Sequence, residues 1–259
     1  MIPFGIDRFP ELRLSLPVAA LAGSRRMFRR RPILTTVALL VVLLSSVLAA
    51  VGALLRCEPE FYTAAACPGD YDTREKASRV LTRLQDLKTD IRTKGEWGET
   101  FTAEELNCFF AEMMTGNGSF ASLLPQGFHS PRIAFEGDRV KLGFRYGEGF
   151  WSTVIWIELR TWLVADEVNL MGVEVCDLRA GRLGVGTQTV LDSIAESARG
   201  SNIDVTWYRH NGNPVGLFRF FSDQPQAPSQ VLTLETRDGK VVVAGRTRTE
   251  LSTRSVYSP

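Results

Sequence analysis

Histidine and cysteine are scarce in this chain, two and four among 259 residues. Four cysteines cannot support a disulfide-dense scaffold. No Cys-x-x-Cys pair occurs, and neither His129 nor His210 has an acid or a second histidine at helical ligand spacing. That pattern offers no zinc-type ligand set, so neither a metal nor a cofactor is expected. The chain also lacks a Gly-x-Ser-x-Gly elbow, a Walker loop and a His-Glu-x-x-His pair, which argues against the commonest hydrolase and nucleotide chemistries. The expectation is a protein that is not an enzyme. Net charge is small, +1, and unevenly spread. The first 31 residues hold seven arginines and two acids, while everything beyond residue 55 is mildly acidic. An acidic domain has no bulk attraction for phosphate backbones, so no nucleic-acid partner is expected.

What the chain does have is an uncharged apolar run over residues 33–55, preceded by Arg25, Arg26, Arg29, Arg30 and Arg31. As a helix it extends roughly 34 Å, enough to cross a bilayer core with some tilt. The arginines lie on one flank, which the positive-inside rule assigns to the cytoplasm. The competing reading is a cleaved signal peptide, with Val51-Gly52-Ala53 as the cleavage site. A signal h-region runs about 7–15 residues, so the length favours an uncleaved anchor. The organisation expected is a basic cytoplasmic tail at 1–32 and a transmembrane helix at 33–55. A linker at 56–72, an extracytoplasmic domain at 73–249 and a frayed tail at 250–259 follow. The linker contains Pro59, Pro68 and Gly69 and would reach about 50 Å when stretched. Cys57 and Cys67 flank it and form a candidate disulfide in an oxidising compartment. Cys108 and Cys176 read as small buried apolar residues.

Two helices follow. Asp72 and Glu75 stand at capping-box spacing before a stripe of Ala77, Val80, Leu81, Leu84, Leu87 and Ile91, one apolar face closed by Gly95 and Gly98. Thr102 and Glu105 repeat the cap before Leu106, Phe109, Phe110, Met113 and Met114. Asn107 is either an exposed amide or a buried hydrogen bond that locks this helix to the next strand. Gly116-Asn117-Gly118 ends the helix, and Asn117-Gly118-Ser119 is a glycosylation sequon.

From Pro131 the period changes to two. Val140, Leu142, Phe144 and Tyr146 alternate with polar residues or glycine. A long strand is expected over 150–165, with Phe150, Val154, Trp156 and Trp162 on one face and Trp151, Ile155, Ile157 and Leu159 on the other. Apolar residues on both faces need cover on both sides. Another strand covers 168–178, with Gly172 as a bulge. Thr187 caps a short amphipathic helix, and four further strands end in a hairpin at Asp238-Gly239. The fold class expected is α+β: a curled antiparallel sheet packed on two or three helices, behind one N-terminal transmembrane helix.

The order of Thr102-Ala103-Glu104-Glu105-Leu106-Asn107, then strands, then Leu178-Arg179-Ala180-Gly181-Arg182-Leu183-Gly184 before a short helix resembles the YpmS-like family of single-pass bacterial envelope proteins. It is also similar to lipid-binding domains in which a long curled sheet wraps a helix. The resemblance spans roughly residues 100–247 and implies binding or scaffolding rather than catalysis. Two roles follow as expectations. One is an interaction or scaffold domain with an envelope protein partner. The other is a lipid-binding groove lined by Leu106, Phe109, Phe110, Met113, Phe150, Val154, Trp156 and Trp162. Met27-Phe28-Arg29-Arg30-Arg31 is a compact basic segment directly before the apolar run, and Met27 is the expected translation start. N-terminal sequencing that returns Met1 or Ile2 would overturn that start.

Overall fold

The computed structural model describes residues 32–115, 124–200, 203–220 and 229–248. The basic tail with Met27, the sequon at Asn117 and the tail after residue 248 lie outside them. Two units divide the chain, residues 1–51 and 52–259. The first contains most of helix α1, Pro32–Arg56. Its stretch Leu34–Arg56 is long and apolar enough to cross a membrane, with a mean hydropathy of 2.7 and no buried share.

The second unit is α+β, as expected, but its strands form two open sheets rather than one. Its helices are α2 (Glu60–Ala64), α3 (Tyr71–Thr93), α4 (Ala103–Thr115) and α5 (Gln188–Gly200). The three-stranded sheet runs β1 (Glu96–Thr102), β10 (Lys240–Thr247), β9 (Ser229–Arg237). The larger sheet runs β2 (Phe128–Glu136), β3 (Arg139–Tyr146), β4 (Thr153–Leu163), β5 (Leu170–Ala180), β8 (Asn213–Arg219), β7 (Asp204–His210). A short β6 (Leu183–Gly184) adds to β5, and every pairing is antiparallel.

Local chemistry explains the element boundaries. Helix α3 is capped two residues before the expected Asp72, because Asp70 accepts from the Thr73 N–H at 2.9 Å. Helix α4 carries the full reciprocal capping box: Thr102 N–H donates to Glu105 at 2.9 Å, and Glu105 N–H donates to the Thr102 hydroxyl at 3.1 Å. The Asp238-Gly239 hairpin holds both residues at positive φ, as a type I′ turn demands. Strand β4 is shorter than expected. Phe150 and Trp151 belong to a 3-10 turn, Gly149–Trp151, whose Gly149 has φ +56°. The β4–β5 bulge is not at Gly172, which pairs with Trp162. It falls where Glu158 and Leu159 face Asp177 and Val175, leaving Cys176 as the extra residue. His129 lies on β2 and bonds the Ser130 hydroxyl and the Gly147 carbonyl.

Two hydrophobic clusters result. In one, Val80, Phe101 and Phe109 are buried, with Leu84, Leu87, Leu106, Phe110, Met113 and Val241 packed around them. It joins α3 and α4 to the small sheet. In the other, Ile157, Val175, Leu178 and Leu191 lie under Leu142, Ile155, Leu159 and Trp207, so α5 covers one face of the large sheet. Arg83 on α3 ties the first cluster's rim together. It reaches Glu99 at 2.5 Å and Glu105 at 2.9 Å.

Two buried asparagines join the sheets. Asn107 of α4 donates to the Ile133 carbonyl and accepts from the Ile133 N–H, both at 2.8 Å. Ile133 is on β2, the outer strand of the large sheet. Asn169, between β4 and β5, donates to the Ser229 carbonyl and accepts from the Val231 N–H, both at 2.9 Å. Those groups are on β9, the outer strand of the small sheet. Each amide replaces a missing neighbouring strand for one backbone donor and one acceptor.

Asn107→Ala is expected to cost about 2–4 kcal/mol, because it strands two backbone groups in a dry site. Asn169→Gly, which keeps the positive φ, should cost a similar amount; denaturant unfolding of the full chain in detergent measures both. A loss under 0.5 kcal/mol in either variant would show that water serves the edge equally well. The acid limb follows from Arg83. Its hydrogen bond holds the Glu99 carboxyl below the usual range. Burial pushes Glu105 the other way, but Thr102 and Arg83 outweigh it, and Glu105 is lowered too. Their stabilisation is therefore complete at neutral pH and is lost as pH falls below about 4, through the folded values. Melting temperature against pH should drop there, and less steeply in Glu99→Gln.

Candidate functional site

The stretch expected to be a linker, 56–72, is folded instead. It is the start of a collar in which one face of the large sheet holds the first residues of the second unit. The physical demand is local. A helix leaves its last carbonyls without intrahelical partners, and those of Leu54 and Leu55 are near the end of α1. The Arg182 N–H donates to Leu54 at 3.0 Å, and the Thr153 hydroxyl donates to Leu55 at 2.5 Å. Gly181 makes this approach possible. Its φ is +57°, and a Cβ there would collide with both carbonyls. Its own N–H is held by the Val154 carbonyl at 2.7 Å. Arg56 donates to the Phe150 carbonyl, and its guanidinium lies 3.3 Å from the centre of the Phe150 ring.

Helix α2 continues the collar. Tyr62 is fully buried, its ring against Gly143 of β3, where a Cβ would come within 2.8 Å. Its hydroxyl donates to the Ser130 carbonyl at 2.7 Å. Arg132 donates to the Tyr62 carbonyl and sits 4.2 Å from the ring centre. Burial pushes the Tyr62 phenol above its ordinary value, although Arg132 and Arg145 pull it down. Glu58 pairs with Arg145 at 2.6 Å. Desolvation opposes the Arg145 charge, yet the Glu58 bond raises its pKa overall. Phe61 meets Trp156 edge-on at 5.8 Å, and the Trp156 indole donates to the Gly181 carbonyl at 2.9 Å.

The eight residues expected to line one groove are distributed among three places. Leu106, Phe109, Phe110 and Met113 come together, but in the helical cluster with Val80 and Phe101. Val154 is buried in β4, and Trp156 belongs to the collar with Phe61. Phe150 is 69 % exposed beside Trp151, which is 85 % exposed. Trp162 lies near the far end of β4 with its indole over Gly172. The candidate pairing of Cys57 with Cys67 is not made. Cys67 instead faces Cys108, with sulfurs 3.1 Å apart and both thiols free. Among the described residues no group of three or more His, Cys, Asp or Glu gathers in a metal-holding arrangement.

Sequence reasoning missed Phe61, Tyr62, Arg132, Arg145 and Gly181. The available signal was Phe61-Tyr62 itself, two aromatics in a supposed spacer. Comparisons with protein-family models, curated proteins and solved structures give no match.

Trp156→Ala should lower stability by about 2–3 kcal/mol, because it empties the space beside Phe61 and unpairs the Gly181 carbonyl. Trp162→Ala should also destabilise. Thermal melts test both, alongside mass spectrometry of co-purified lipid. A stable variant that loses lipid would instead make the residue part of a ligand site.

Proposed function

We propose that this chain is a membrane-anchored extracytoplasmic domain that acts by interaction or scaffolding, without catalytic activity of its own. The observation that carries the reading is the collar. The chain leaves the apolar helix and enters the folded unit with its first residues tied down, since Leu54, Leu55, Arg56, Glu58, Phe61 and Tyr62 are held by the large sheet and the turns at its end. A domain that begins this few residues after an anchoring helix works close to the bilayer. Phe150 and Trp151 support the same reading: an exposed aromatic pair beside the last residue of the span suits the headgroup level, where aromatic side chains concentrate. The alternative role is an apolar ligand held between sheet and helix. The packing of Leu106, Phe109, Phe110 and Met113 against Val80 and Phe101 supports scaffolding over that alternative.

The test uses the full chain in native membranes. An alkaline-phosphatase fusion after Thr247 should be active, as an extracytoplasmic location requires. In-membrane cross-linking should give one discrete heavier species. A monomer under every cross-linker would defeat the scaffold role, and an inactive fusion would defeat the topology.

A further inference from the structure

Cys67 and Cys108 are 41 positions apart in sequence, yet their sulfurs lie 3.1 Å apart. Cys108 is buried on the first turns of α4. Cys67 is in the segment between α2 and α3. Both flanking segments are pinned independently of the thiols. Tyr62 fixes the N-terminal side through Ser130 and Arg132. Asp70 caps α3 on the other side, and Asn107, adjacent to Cys108, is clasped to β2. The sulfurs therefore meet because the fold brings them together, without a bond being needed to hold them.

We infer that Cys67 and Cys108 form a structural disulfide in the mature protein. The inference rests on the extracytoplasmic reading, because the cytosol keeps such pairs reduced. The oxidant is the disulfide of a thiol–disulfide oxidoreductase. The Cys67 thiolate attacks one enzyme sulfur, forming a mixed disulfide and releasing one enzyme thiolate. The Cys108 thiolate then attacks the Cys67 sulfur, forming the Sγ–Sγ bond and releasing the second enzyme thiolate. The two protons from the cysteines end on the enzyme's sulfurs, and two electrons pass to it. In the folded, reduced protein desolvation, then the Cys108 contact, pushes the Cys67 thiol up to about 12, which slows its attack, while its half-buried position leaves the sulfur accessible to the oxidant. The bond closes the loop from α2 to α4 and shrinks the unfolded ensemble.

The experiment blocks free thiols in intact cells, then purifies the full chain and maps peptides without reductant. The expected result is a linked pair of peptides carrying Cys67 and Cys108, with Cys57 and Cys176 alkylated. Melting temperature should fall on reduction, fall similarly in Cys67→Ser and Cys108→Ser, and fall no further when the variants are reduced. Alkylation of both Cys67 and Cys108 in cells would overturn the inference. In that event, refolding the reduced chain with oxidised glutathione separates the causes. A bond formed there faults the compartment, and its absence faults the pairing itself.

Discussion

Both sheets are open, so each has two outer strands whose backbone donors and acceptors need partners. At one outer strand of each, β2 and β9, the structure answers with a side-chain amide. Asn107, carried on the helix that follows β1, serves the edge of the large sheet at Ile133. Asn169, carried on the β4–β5 connection, serves the edge of the small sheet at Ser229 and Val231. The arrangement is reciprocal: each sheet's own connection supplies the amide for the other's edge. An amide is suited to the task because it offers one donor and one acceptor in a fixed plane. The helical cluster around Phe109 is on the same helix, α4, that carries Asn107. Ser229 adds a third tie, its hydroxyl donating to the Ile91 carbonyl at the end of α3.

Against that frame the collar has a clear logic. The large sheet buries one face under α5, through Ile157, Val175 and Leu178. Its other face carries charged residues such as Arg139, Glu158, Arg160 and Glu174, paired across the strands. At one end that face turns aromatic and receives Phe61 and Tyr62. The sheet thus has cover on both sides at β3 and β4, as the two-sided apolar content of β4 requires, but the cover comes partly from residues that look like spacer.

What was legible in the residues was what depends on near neighbours. The Thr102–Glu105 box, the Asp238-Gly239 turn and the apolar length of the first helix each act within a few positions, and each reads directly. Strand β1 was not legible. Trp97 and Phe101 alternate correctly, but the partner of β1 is β10, far along the chain. The end of β4 was overrun because apolar content at Phe150 and Trp151 does not reveal the glycine at positive φ that breaks the strand. Sheet count was beyond reach for the same reason as the meeting of Cys67 with Cys108: both depend on contacts at long range. The eight groove residues follow two patterns in sequence, a helical stripe and a strand face, and only packing separates them further.

The β1–β10 pairing also sets a timetable. Glu96 lies opposite Arg246, and Phe101 opposite Val241. Synthesis from the N-terminus delivers α3, β1 and α4 long before β10 emerges. Until then the apolar side of β1 has no strand beside it, and Val241 is missing from the cluster under Phe101. Loop closure over so many residues is slow and leaves hydrophobic surface uncovered in the interval. Completion of this domain is therefore gated by its last hairpin, and until that hairpin forms the half-sheet around β1 stands uncovered.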